Sequence, residues 1–193
     1  MAVSARRVAQ VTRYNVGDAN HTRYSDYEIL SALNAAILAI VDSANKYYVP
    51  LLVTTETLET EERPDGLKEV ELPEDFGAIM SVECTDGVPL VSNYESSLYD
   101  EQYRIEGRKI LCWEDFIVLT YRKEIPELNS FEKDIEDFPS ELTLPLAKIT
   151  SAFILGDMTA VEIESDKAVI SIKNRRYENN RPPKLWGGYN EWV

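Results

Sequence analysis

The chain has 193 residues, 44% of them hydrophobic, enough for one good core or one core with a small subdomain and too apolar for a disordered protein. Its 34 Asp and Glu outnumber 20 Lys and Arg, a formal −14, which argues against phosphate gripping and direct DNA binding as its main task. Two cysteines without a Cys-x-x-Cys pair, no signal-like apolar run and no stretch of about 18 uninterrupted apolar residues point to a soluble protein of a reducing compartment, with no membrane span.

Residues 3–14 suit a short helix with Val3, Val8 and Val11 towards one side, ended by Asn15 and Gly17. A loop over 18–22 follows. Ser25 and Glu28 then read as a capping box, each side chain accepting from the other's backbone N–H, so a long helix starts there. Ile29, Leu33, Ile37, Ile40, Val41 and Ala44 recur at spacings of three and four and form one apolar stripe that must pack against other helices.

From Tyr48 to about Glu124 the periodicity turns strand-like, with Thr, Val, Ile and Tyr enriched. Pro64-Asp65-Gly66 is placed to turn the chain between a strand over 51–60 and another over 67–72. Met80, Val82 and Cys84 alternate with Ser81 and Glu83 in a strand that stops at Asp86-Gly87. Residues 88–91 pair back, and Pro89 confines that return to an edge or a bulge. A short helix is expected over 94–101. Strands at 103–105, 109–113 and 116–121, with turns at Glu106-Gly107 and Glu114-Asp115, read as a meander that ends near Pro126.

Helix returns around Phe138-Pro-Ser-Glu-Leu142. Pro145 fits only a first turn, which makes Thr143 the cap and Leu146, Ile149, Phe153 and Ile154 the buried face. Ser165 or Asp166 is the expected cap of a last helix running to Tyr177, with Val169 and Ile172 inward and Lys173, Arg175 and Arg176 near its C-terminus. Residues 179–193 cannot continue a helix yet carry two of the three Trp.

Chemistry is sparse. His21, the single histidine, falls on a polar loop, and zinc sites built on several histidines are excluded. The acidic run 132–137 lacks the glycine and ligand spacing of a calcium loop and reads as solvated. No dinucleotide fingerprint, Walker loop or nucleophile elbow occurs. Cys84 and Cys112 read as small buried hydrophobes, and Tyr94, Tyr99 and Tyr103 as half-buried cover for a small sheet. Neither a catalytic group nor a metal or other cofactor is expected; converging acids that bind magnesium in a small metal-dependent hydrolase are the enzymatic alternative.

The order of parts resembles that of the head-to-tail connector, or portal adaptor, proteins of tailed bacteriophages. Arg23-Tyr-Ser-Asp-Tyr-Glu-Ile-Leu is similar to the family's Arg-Trp-Ser-Asp-x-Glu-Leu-like helix start, with Tyr24 where Trp is commoner. Leu72-Pro-Glu-Asp-Phe resembles its Leu-Pro-x-Asp-Phe segment, and Phe138-Pro-Ser-Glu-Leu the segment before its third helix. With the zones read above, the resemblance implies an α+β, mainly α fold: a helical bundle of three to four helices (1–47 and 126–178), a β-rich subdomain inserted after the long second helix (48–125), and an extended C-terminal tail (179–193).

The family's role would be structural. About twelve copies would form a ring under the portal protein. That ring would extend the channel for passing double-stranded DNA without binding it specifically, and offer a docking surface to a tail or stopper protein. The protein would belong to the virion neck and, during assembly, to the host cytoplasm. On this reading Trp186, Tyr189 and Trp192 are the portal-binding anchors, with Pro182 and Pro183 holding the tail extended. Another neck or tail-completion role is the closest alternative.

Overall fold

The computed structural model describes residues 2–95, 97–125 and 127–179, with the side chains of 176–179 excepted. The tail residues Pro182, Pro183, Trp186, Tyr189 and Trp192 lie outside this range. The chain divides into two compact units: Pro50–Glu127, and a unit formed by the chain up to Val49 and again from Leu128.

The discontinuous unit begins with a two-residue strand β1 (Val3–Ser4), which pairs antiparallel with β10 (Asp134–Ile135) and sets Val3 against Ile135, both fully buried. Helix α1 (Ala5–Asn15) follows directly, so residue 3, expected inside the helix, belongs to a strand instead. Helix α2 (Asp26–Lys46) starts on the capping box: the Ser25 N–H donates to Glu28 Oε2 at 2.8 Å and the Glu28 N–H to Ser25 Oγ at 3.2 Å. All six stripe residues are buried. By length and composition alone α2 could cross a membrane, yet its stripe packs against α3 (Thr143–Leu155) and α4 (Met158–Asn179).

A 3₁₀ turn over Ser140–Leu142 leads into α3, which packs on α1, α2 and α4. Thr143 is the first residue of α3 rather than its cap, and Pro145 sits in the first turn. The buried face is Leu146, Ala147, Ile149, Thr150, Ser151 and Ala152, while Phe153 and Ile154 are half-buried. Thr150 and Ser151 donate their hydroxyls to the carbonyls of Leu146 and Ala147, which lets a polar stripe be buried without loss. Gly156 ends the helix at φ 72°, a left-handed geometry that glycine adopts freely. Asp157 then caps α4 by accepting the Ala160 N–H at 3.0 Å. The last helix therefore starts seven residues or more before the expected Ser165 or Asp166, and both of those lie within it.

The unit Pro50–Glu127 is made of two sheets. Strands β2 (Val53–Glu59), β9 (Phe116–Lys123) and β5 (Phe76–Cys84) form one antiparallel sheet in the order β2-β9-β5. The other runs β3 (Glu61–Glu62), β4 (Lys68–Glu71), β8 (Lys109–Cys112), β7 (Gln102–Glu106) and β6 (Val91–Ser92), with β6 parallel to β7. Inward residues of both sheets share one core: Val82, Ile117, Leu119 and Tyr121 from the first, Tyr103, Ile110 and Cys112 from the second, with Leu72 and Leu90. Gly77 is required where β5 runs close to β9, because a Cβ there would stand 3.0 Å from the Lys123 carbonyl oxygen and the Glu124 nitrogen.

The expected mainly α helical bundle is overturned. Among the described residues, four helices and ten strands in three sheets, 38% helical and 27% strand, make an α+β fold with a strand-rich core. The physical reason is that residues 50–127 bury a core of their own, and that a strand pair is built in among the helices as well.

Local corrections follow the same logic. Pro64-Asp65-Gly66 turns between β3 and β4, whereas the longer β2 pairs with distant β9. β8 and β9 lie in different sheets, so the last three strands are not a meander. A bulge between Ile79 and Ser81 breaks the alternation, leaving Met80 exposed and Val82 buried. The return strand is reduced to a bridge at Pro89, and no helix forms over the described part of 94–101.

Candidate functional site

The best-built polar cluster organises the loop between α1 and α2. Asp18 Oδ1 accepts the N–H groups of Thr22 and Arg23 at 2.8 Å each, and Oδ2 that of Tyr24 at 3.3 Å. Arg13 donates to Asp18, to the Tyr24 carbonyl at 2.9 Å and to Asp26 at 2.6 Å; the side chains of Arg13 and Asp18 are both buried. Burial alone would raise the Asp18 pKa, but the three N–H donors and Arg13 outweigh it and hold the carboxyl below its usual range. Glu28 is lowered as well, by the backbone and hydroxyl of Ser25. Beside this cluster a cleft of about 460 Å³ is lined by Arg6, Gln10, Arg13, His21, Asp26 and Glu132. Its charges are spent on each other, Arg6 on Glu132 and Arg13 on Asp26. Among the described residues no nucleophile pairs with the exposed His21.

Asp166 gathers a second cluster, accepting from Lys46 at 2.7 Å and from the hydroxyls of Ser43 and Tyr47 at 2.8 Å each. These donors, Lys46 foremost, depress the Asp166 pKa, and Asp166 in turn raises that of Lys46. The cluster ties α2 to α4. Its job is structural.

In the strand unit Tyr121 is fully buried, and its hydroxyl lies 2.9 Å from both Glu56 and Asp75. Desolvation and then the two carboxylates push its pKa up, while the Tyr121 hydroxyl and Lys123 hold Asp75 down. Cys112 is buried and Cys84 half-buried; both are free thiols, and burial drives Cys84 up to about 11 and raises Cys112. Neither is poised as a nucleophile. Among the described residues no group of three His, Cys, Asp or Glu could hold a metal.

What remains is surface. Tyr14, Tyr27 and Tyr48 are at least 78% exposed, and Leu144, Leu155 and Met158 are exposed too, all in the discontinuous unit. Tyr94 and Tyr99 are exposed rather than half-buried cover; only Tyr103 joins the core. A signal for the exposed set was present in part: Tyr27 and Leu38 are large apolar residues off the buried stripe of α2.

Charge is divided as unevenly as the fold. Pro50–Glu127 holds 19 Asp and Glu against 7 Lys and Arg, a formal −12, while the rest of the chain holds 15 against 13, a formal −2. Exposed aromatic groups thus occur on both the near-neutral unit and the acidic strand unit. No family model and no curated protein matches the chain.

Proposed function

We propose that the protein is a structural component of a tailed-phage neck, a head-to-tail adaptor whose copies form a ring of about twelve under the portal, extend the DNA channel and receive the tail or a stopper protein. The observation that carries this reading is the order of its motifs along the fold. Arg23-Tyr-Ser-Asp-Tyr-Glu-Ile-Leu opens the capped helix α2, Leu72-Pro-Glu-Asp-Phe enters β5 within the inserted strand unit, and Phe138-Pro-Ser-Glu-Leu leads into α3. The charge division supports it: an acidic unit placed along the channel repels the phosphate backbone and lets DNA slide. The tail residues Trp186, Tyr189 and Trp192, stiffened by Pro182 and Pro183, serve as the portal anchor in this proposal.

The test is co-sedimentation of the purified protein with the portal ring encoded by the same genome, with the protein alone alongside. The expected result is about one copy per portal subunit in the complex; a protein that stays unbound overturns the proposal. Truncation after Asn180 is expected to leave the melting transition unchanged and abolish portal binding. A lowered transition would assign the tail to the protein's own fold.

A further inference from the structure

Among the described residues strand β2 ends its sheet and is paired on one side only, to β9. Folded proteins usually blunt such edges with bulges, prolines, charged side chains or short strands. The other edges here obey that rule. β5 carries two register shifts and is partly covered by the return at 88–90, while β1, β3, β6 and β10 have two residues each. β2 has seven residues, an unbroken register, and neither proline nor lysine; its central device is the charge of Glu56 on the core-carrying face, which repels another acidic strand and leaves the edge open to a cationic one.

Its side chains alternate. Val53, Thr55 and Thr57 lie on the outer face, where Thr55 and Thr120 share a hydroxyl contact of 2.9 Å. Thr54, Glu56 and Leu58 lie on the face that carries the core, against which Leu58 packs. Glu56 sets the chemistry of the edge. One hydroxyl has one proton, so Tyr121 cannot serve Glu56 and Asp75 together. Asp75 has Lys123 at 3.2 Å, whereas Glu56 is exposed and makes no ion pair among the described residues. A second β2 laid antiparallel and centred on the first would oppose Glu56 to Glu56, a destabilising like-charge pair.

We propose that the free edge of β2 takes up an extended segment of a partner polypeptide, one that sets a cationic side chain opposite Glu56 and an apolar one opposite Leu58. Main-chain hydrogen bonds to the seven-residue edge supply the affinity, and the cation fixes the register. The inference goes beyond the adaptor reading and stands without it.

The probe is a capped heptapeptide, Thr-Leu-Thr-Lys-Thr-Leu-Thr, which offers the same pattern in either strand direction, compared with its analogue carrying Glu at the centre. Titrated into the full chain and followed by amide NMR, the Lys peptide is expected to shift the amides of Val53–Glu59 and to bind about fivefold or more tighter than the Glu peptide. Glu56→Gln, which removes the charge at the strand's centre and keeps the side chain's size, is expected to remove that preference, and Glu56→Lys to invert it. No shift with either peptide at millimolar concentration, equal binding of the two, or shifts confined to another surface would each overturn the proposal. So would self-association of the chain that competes with the Lys peptide, which would give the edge to a second copy.

Discussion

Asp18 shows how much a single loop side chain can hold. It sits between two helices, satisfies three backbone donors and neutralises a buried arginine. Asp18→Ala is therefore expected to lower the melting temperature by roughly 5–10 °C or more, because Arg13 is left buried with part of its pairing gone. The pH dependence has a definite sign. The folded-state pKa of Asp18 is depressed, so its stabilisation is full above the unfolded carboxylate value of about 4 and fades as pH falls through the folded value. Denaturation midpoints measured from pH 7 down to pH 3 should drop less steeply in Asp18→Asn than in the parent. Thiol chemistry gives a second residue-scale test. With Cys84 at about 11 and Cys112 buried, iodoacetamide at pH 8 should label the native protein at least about tenfold more slowly than the unfolded chain. The capping box was legible in the sequence because its two members are three residues apart and act on each other's backbone. Asp18 was not, since its donors exist only once the loop has closed around it.

Among the elements, α2 was the most legible and should be the least forgiving. Leu33 is fully buried, and Leu33→Ala is expected to cost about 2–5 kcal/mol in denaturant unfolding. Ser25→Ala should cost about 1 kcal/mol, the usual worth of a lost cap. Strand existence was legible from composition, but strand partners were not. β2 passes over the nearby β4 for β9, more than fifty residues away, and nothing local to either strand encodes that choice. Misreading α4 had a different cause. Gly156 and Asp157 carry the stop and start signals, but Ser165 and Asp166 look like caps as well. Packing decides between them, because Ser165 bonds back to the Val161 carbonyl and Asp166 is held by α2.

On the scale of the whole molecule, the division into units and the division of charge coincide. Sheet against sheet makes the residues 50–127 self-sufficient in core, which is why the mainly helical bundle that the resemblance implied leaned too far towards helix. Concentrating −12 in that unit costs stability through self-repulsion, so raising salt from 50 to 500 mM should lift its unfolding midpoint by a few degrees, read from the fluorescence of Trp113 in a Trp186→Phe, Trp192→Phe background. The division also dictates an order of events during synthesis. The helix α2 leaves the ribosome with Ile29, Leu33, Ile37 and Ile40 uncovered, and its partners α3 and α4 lie beyond the entire strand unit. At roughly 5–20 residues per second the nascent chain carries this bare stripe for on the order of ten seconds, while the later-made strands fold first. The half-built protein is thus expected to aggregate more readily than the finished one, and a chain stopped before Thr143 should be the less soluble of the two.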